Sequence, residues 1–239
     1  MEVSLMAEAS LTQAPSPAAD SLTDRGAEVG QYWEYRGSSS TPGTLAAEGM
    51  TDRDFVAEFQ LRPSMAVETL LLFADLGLVS KRDATQWVFP LLIPARGETR
   101  KQLYQALLTL GEPKAILDIT LSAYEKYGNE DRLTLAASLL MDLGAHALPS
   151  LRILARSNRP ECAWFVPTIA GLPDVELQNR VEVLIYLVRS PYIAVRQSLL
   201  GATQALPSPQ ALSLLYMLSQ DPEADIAEEA REWLANFEA

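Results

Sequence analysis

Three prolines constrain this chain more than any other feature. Pro160, Pro191 and Pro222 stand 31 residues apart. The stretches "SPYIAVRQ" (190–197) and "DPEADIAE" (221–228) both open on a small polar residue and a proline. Both place a β-branched residue, Val195 or Ile226, four positions after that proline, and both then run into a helix-like pattern. One period earlier stands Asn129, another residue suited to starting a helix. Cutting the chain at this period gives four full lines from residue 99 and a closing half line, "EADIAEEAREWLANFEA". Each full line holds an apolar-periodic helix, a break and a second helix. The breaks, "LGEP", "LGAHALP", "LPD" and "LPSP", are built of turn residues.

The columns of this alignment carry the packing. The fourth position holds Gln102, Leu133, Trp164, Val195 and Ile226. The eighth holds Ala106, Ala137, Thr168, Leu199 and Ala230, mostly small enough to let neighbouring first helices approach closely. Second helices end alike, as in "EVLIYLV" and "LSLLYML", with the register slipping by a residue or more between lines. Helix pairs at a fixed period in this range are the signature of stacked α-helical repeats. The expected fold is all-α, an α-solenoid of helix pairs with a disordered N-terminal arm.

Upstream of the regular lines, the pattern is already helical from Thr51. Thr51 is positioned to cap "DRDFVAEFQL" and Pro63 to sit in the first turn of "SMAVETLLLFADLG". Gly77 is placed to end that helix and Ser80 to cap the next, which Pro90 and Pro94 are expected to close. No stretch alternates as a strand would. Residues 1–50 differ in texture: they are rich in Ala, Ser, Pro, Thr and Gly, without apolar periodicity. Such a composition buries too little surface to offset its ordering entropy and reads as a disordered arm. One aromatic island, Tyr32, Trp33 and Tyr35 in "VGQYWEYRG", interrupts it and is a candidate docking motif. The domain reading is therefore an arm over 1–50 and a helical-repeat domain over 51–239, regular from about 99.

The line "SPYIAVRQSLLGATQAL" resembles the HEAT repeat, in the short 31-residue bacterial form also known as the phycobilisome-lyase HEAT-like repeat. In that family a proline or Asp-Pro opens the first helix and a Val-Arg pair follows inside it. Val195 and Arg196 match the pair. Asp221, Pro222 and Ile226 match in part, with Ala227 where arginine would stand. The earlier lines depart, with Leu133–Thr134 and Trp164–Phe165 in those columns. The resemblance covers roughly residues 98–239. It implies an armadillo-like array whose second helices usually line the concave side, and it says little about function.

Catalytic signatures are missing from the sequence. There is no phosphate-binding or dinucleotide-binding glycine loop, no C-x-x-C and no H-E-x-x-H. One cysteine, Cys162, and one histidine, His146, leave no basis for a His- or Cys-rich metal site, and no cofactor is expected. A Cys162–His146 nucleophile pair needs the fold to bring the two together; a buried cysteine and a histidine in a turn account for both. The acidic pairs Glu130–Asp131, Glu228–Glu229 and Asp52–Asp54 sit at helix starts or on the last helix, where a first-turn carboxylate complements the helix dipole. The segment from Glu223 holds six acidic residues and one arginine and reads as a polar end cap.

The formal charge is −12, from 31 acidic and 19 basic side chains. It opposes broad contact with nucleic-acid phosphates and with anionic membranes, and suits a protein partner with a basic surface. No apolar run is long enough to cross a bilayer, and a cytoplasmic location is expected. The leading function is a non-enzymatic scaffold, adaptor or assembly chaperone that grips a protein partner through the second-helix face. The residues expected to do so are Tyr124, Tyr127, Arg152, Arg156, Arg180, Arg189 and Tyr216, with Tyr32, Trp33 and Tyr35 on the arm; Tyr and Arg are over-represented at interface hot spots. Two alternatives follow from the resemblance: a subunit of a bilin (phycobilin) lyase-type complex, since some relatives attach pigments, and DNA handling, which the charge opposes.

Overall fold

The computed structural model describes residues 50–238, with side chains to residue 236. Residues 1–49 of the arm, with the island at Tyr32, Trp33 and Tyr35, lie outside the described residues. Among the described residues the chain is all-α, with twelve α-helices and no strand. In order these are α1 Asp52–Leu61, α2 Pro63–Asp75, α3 Lys81–Leu92, α4 Gly97–Leu110, α5 Pro113–Tyr127 and α6 Glu130–Asp142. They continue as α7 Leu148–Arg156, α8 Val166–Gly171, α9 Leu177–Val188, α10 Ile193–Ala202, α11 Ser208–Leu218 and α12 Ala224–Glu238.

The helix ends follow local chemistry. Thr51 and Asp54 form a reciprocal capping box at α1: the Asp54 N–H donates to Thr51 Oγ1 at 3.2 Å, and the Thr51 N–H to Asp54 Oδ2 at 3.1 Å. The Thr51 hydroxyl and N–H hold the Asp54 carboxyl below its ordinary range. Ser80 Oγ accepts the Asp83 N–H at 3.0 Å to start α3. Gly77, at φ +73°, turns the chain out of α2, and the following Leu78 N–H returns to the Phe73 carbonyl at 2.9 Å. Pro90 does not close α3, which runs through it to Leu92. A proline in the last turn removes one N–H and leaves the remaining backbone bonds of the helix intact.

Packing follows one rule. From α2 onward, each helix lies against the helix two places along: α2 on α4, α4 on α6, α6 on α8, α8 on α10 and α10 on α12. The same holds for α3, α5, α7, α9 and α11. The helices thus fall into a first row of even-numbered and a second row of odd-numbered members, with the core between them. Leu103, Leu107, Leu133, Leu140, Val195 and Leu199 of the first row meet Ile116, Leu151, Leu184 and Leu215 of the second in that core, all of them essentially dry. Helix α1 closes the N-terminal end through Phe55, fully buried and stacked on Trp87 of α3 at 6.2 Å between ring centroids.

The small column does what its composition suggests. Thr168 Oγ1 donates to the Ala137 carbonyl, 31 residues away, at 3.5 Å. The third line departs from its neighbours. "ECAWFVPTIAG" forms a 3₁₀ segment, Pro160–Phe165, and only the six-residue α8. Pro167 is the cause: it cannot donate to the residue 163 carbonyl and crowds it. That carbonyl, Ala163, is taken instead by the Ser198 hydroxyl of α10 at 2.8 Å. Trp164 in this segment is 37% exposed rather than a core residue of the fourth column.

The proline-marked junctions have a common geometry. Ser190 Oγ accepts the Tyr192 N–H at 3.3 Å, and Asp221 Oδ1 accepts the Glu223 N–H at 2.8 Å. Pro191 and Pro222 occupy the turns these bonds close; α10 and α12 begin two residues after each proline, not at it. Arg196 joins the two junctions. Its Nη1 donates to the Ser190 carbonyl at 2.7 Å, while Nε and Nη2 grip Asp221 at 2.7 and 3.2 Å. The side chains of this pair are 8% and 2% exposed. Removing one partner strands a buried charge, so Arg196→Ala is expected to lower unfolding free energy by about 3–5 kcal/mol. A free-energy loss under about 1 kcal/mol, read from urea titration, would show the junction to be dispensable.

Candidate functional site

The second row has one face on the core and one in solvent. Its core positions in α7 are Ser150, Leu151, Leu154 and Ala155, which leaves Arg152, Ile153 and Arg156 outward. In α9 the core positions Val181, Val183, Leu184 and Leu187 leave Glu182, Ile185 and Tyr186 outward, and Arg189 is exposed just past the helix end. In α11 the same periodicity exposes Ser213, Tyr216 and Met217. Tyr127 stands exposed at the end of α5. From α5 onward, each helix of this row therefore presents large apolar or aromatic side chains to water: Tyr127, Ile153, Ile185 with Tyr186, and Tyr216 with Met217.

The arginines are held in place across helices. Arg152 Nη2 bonds Glu182 Oε2 at 3.0 Å. Arg156 Nη2 donates to the Tyr186 hydroxyl at 3.2 Å, with its guanidinium 4.8 Å from the ring centroid. Both bonds join α7 to α9 across 30 residues. Tyr127 lies beneath two cations, Lys126 at 5.0 Å and Arg132 at 5.6 Å from the ring centroid. At the α7–α8 turn, Arg159 reaches Glu161 at 3.3 Å and also pairs with Glu125 of α5. Partial burial works against the charge on Arg159, but the two carboxylates outweigh it and raise its pKa.

Of the residues singled out by sequence, Tyr127, Arg152, Arg156, Arg189 and Tyr216 share this row's solvent side, and Tyr124 is half-buried on α5. Arg180 is turned the other way. Its Nη1 donates to the Ala170 carbonyl at the end of α8 at 2.5 Å, tying α9 to the first row. Tyr186, Ile153, Ile185 and Met217 were missed. The signal for Tyr186 was present: "EVLIYLV" and "LSLLYML" superpose Tyr186 on Tyr216 at a 30-residue offset, one short of the proline period.

Charge along helices α5 to α11 of this row differs from that of the whole chain. Helices α5, α7, α9 and α11 carry five basic side chains (Lys114, Lys126, Arg152, Arg156, Arg180) against three acidic (Asp118, Glu125, Glu182). The acid is concentrated elsewhere, notably on α12 with Asp225, Glu228, Glu229, Glu232 and Glu238.

The one thiol is not set up as a nucleophile. Cys162 is buried, its Sγ–H donates to the Leu154 carbonyl at 3.2 Å, and burial pushes its pKa up. His146 is exposed in the α6–α7 turn. Tyr104 has its pKa raised by burial and by donating to Asp142 Oδ2 at 2.7 Å, a link between α4 and α6. Among the described residues no group of three or more His, Cys, Asp or Glu is placed to hold a metal ion, and no helix is long and apolar enough to cross a membrane. No family model, curated protein or solved structure matches the chain.

Two outcomes follow. Arg152→Ala and Arg156→Ala are each expected to cost under about 1 kcal/mol, because their partners stay hydrated at the surface; denaturant titration measures this. Cys162 is expected to resist a thiol reagent at pH 8 in native protein and to react at least about a hundredfold faster in denaturant. Fast native labelling would show an accessible thiolate.

Proposed function

We propose that this chain is an α-solenoid of HEAT-like helix pairs acting as a non-enzymatic scaffold, adaptor or assembly chaperone, with a protein partner held along the solvent face of its second row. The observation that carries the reading is the run of exposed Tyr127, Ile153, Ile185, Tyr186, Tyr216 and Met217 on successive second-row helices. Scattered single hydrophobics on a surface need no explanation, but a series repeated helix by helix along one row marks an interaction surface. The unbroken contact of each helix with the helix two along supports the solenoid. Arg152 and Arg156, pre-oriented by Glu182 and Tyr186, lose less side-chain entropy on binding than free arginines would.

The local surplus of basic groups suits a partner that offers acidic side chains beside apolar ones. A basic partner, as the overall charge of −12 suggests, finds its counterpart on α12 instead. Association through the second-row face is expected to slow as salt rises.

The test is affinity capture from native extract with three full-length baits: the natural chain, a Tyr186→Ala/Tyr216→Ala variant, and a Gln105→Ala/Thr109→Ala control on the solvent side of α4. A stoichiometric protein retained by the natural chain and the control, and reduced at least about tenfold by the tyrosine variant, is the expected result. A partner held equally by all three would place binding off this face.

A further inference from the structure

Three successive second-row helices share one register. Leu151 and Leu154 of α7, Leu184 and Leu187 of α9, and Leu215 and Leu218 of α11 hold equivalent core positions. Two residues past the first leucine of each pair, a large side chain stands in solvent: Ile153, Tyr186 and Met217, 62%, 46% and 40% exposed. Three residues further on, about one helical turn, stand Arg156, Arg189 and Gln220, all exposed. The solvent face therefore repeats, helix by helix, an apolar side chain beside a hydrogen-bond donor.

These rungs have a spacing and a charge. Helix α7 packs on α9 and α9 on α11, and packed helices lie about 8–10 Å apart. A chain in the polyproline II conformation returns to the same side at every third residue, about 9 Å along. Its third residues therefore fall on successive rungs. A β-strand turns residues three apart to opposite faces, and an α-helix at this spacing presents only every seventh residue. The carboxylates nearby are already taken, Glu182 by Arg152, and Glu125 and Glu161 by Arg159. Arg156 bonds the neutral Tyr186 hydroxyl, and neither it nor the exposed Arg189 has an ion pair among the described residues. Two cations on adjacent rungs fit carboxylates beside the apolar anchors. A polyproline II chain also leaves its own carbonyls unbonded, and arginine and glutamine side chains can donate to them.

We propose that the solvent face of α7, α9 and α11 takes an extended, acidic, proline-rich segment of a partner protein in the polyproline II conformation. An apolar residue at every third position lies on Ile153, Tyr186 and Met217, and carboxylates face Arg156 and Arg189. This rests on the second-row reading above and adds to it the conformation, period and charge of the bound segment. Such a segment is ordered before it binds, which lowers the entropy cost of docking.

The test is fluorescence anisotropy of the full-length chain with labelled synthetic peptides. The first is four Leu-Pro-Glu repeats, in which each proline holds itself and the preceding leucine extended. Its controls are four Leu-Pro-Lys repeats, three Leu-Pro-Gly-Glu repeats, and a helical peptide of equal charge with leucine at every seventh position. The first peptide is expected to bind with Kd below about 500 μM, and each control at least about tenfold more weakly. Tyr186→Ala is expected to weaken binding at least about fivefold. Arg189→Glu is expected to cut the preference for the Glu over the Lys peptide at least about fivefold, a change that loss of folding alone does not produce. Absence of binding to about 1 mM overturns the proposal. Equal binding of the four-residue repeat overturns the match of period to rungs, and tighter binding of the helical peptide makes the occupant a helix. If the peptides fail while capture of a partner still depends on Tyr186 and Tyr216, the extended segment falls and the scaffold reading stands. A captured partner indifferent to those tyrosines overturns both.

Discussion

No helix among the described residues buries its apolar face alone. Each is short, 6 to 15 residues, and amphipathic, and an isolated helix of that length is marginal in water. From α2 onward, each is covered by its neighbour two places along and by the row facing it. Close approach within the first row depends on small side chains at the contact, as where Thr168 meets the Ala137 backbone. Regular spacing depends on the junctions, where Arg196 ties the Ser190 turn to the Asp221 turn with almost no water around it. A charge pair that dry adds little net stability over an apolar replacement, but it fixes which turns meet.

That economy explains where the surface is free to act. In the first row, α4 and α6 keep their apolar residues for the core and show water polar ones. Second-row helices retain aromatic and aliphatic side chains on the far side as well, and cross-helix bonds such as Arg156 to Tyr186 hold the polar groups among them. A surface assembled from one or two residues per helix acquires its extent from stacking. Within the described residues Cys162 is buried in the packing, and His146 stands exposed on a turn.

Much of this was legible beforehand. The proline period and the turn-residue breaks located the helix pairs, and Thr51, Ser80 and Gly77 act at helix ends as their chemistry requires. The misreadings are local. Pro90 was expected to end a helix that tolerates it in its last turn. Pro167 was passed over inside an apolar run, although it reduces that first helix to a 3₁₀ segment and a six-residue remnant. Arg180 reads as a surface arginine because it sits among polar neighbours, yet the carbonyl it needs belongs to α8.

The sequence by itself determined the all-helical class and most helix ends, because apolar spacing, caps and prolines act within a few residues of where they stand. Whether a given outward position meets solvent or another helix depends on contacts 25 to 38 residues away, such as Arg196 with Asp221 and Tyr104 with Asp142. Only the tertiary structure decided those. A helix has one face for the core and a wide remainder, and its own residues do not say which part of that remainder a neighbour will cover. Tyr186 becomes a surface residue fixed by Arg156, Arg180 a strut and Trp164 half-exposed for that reason.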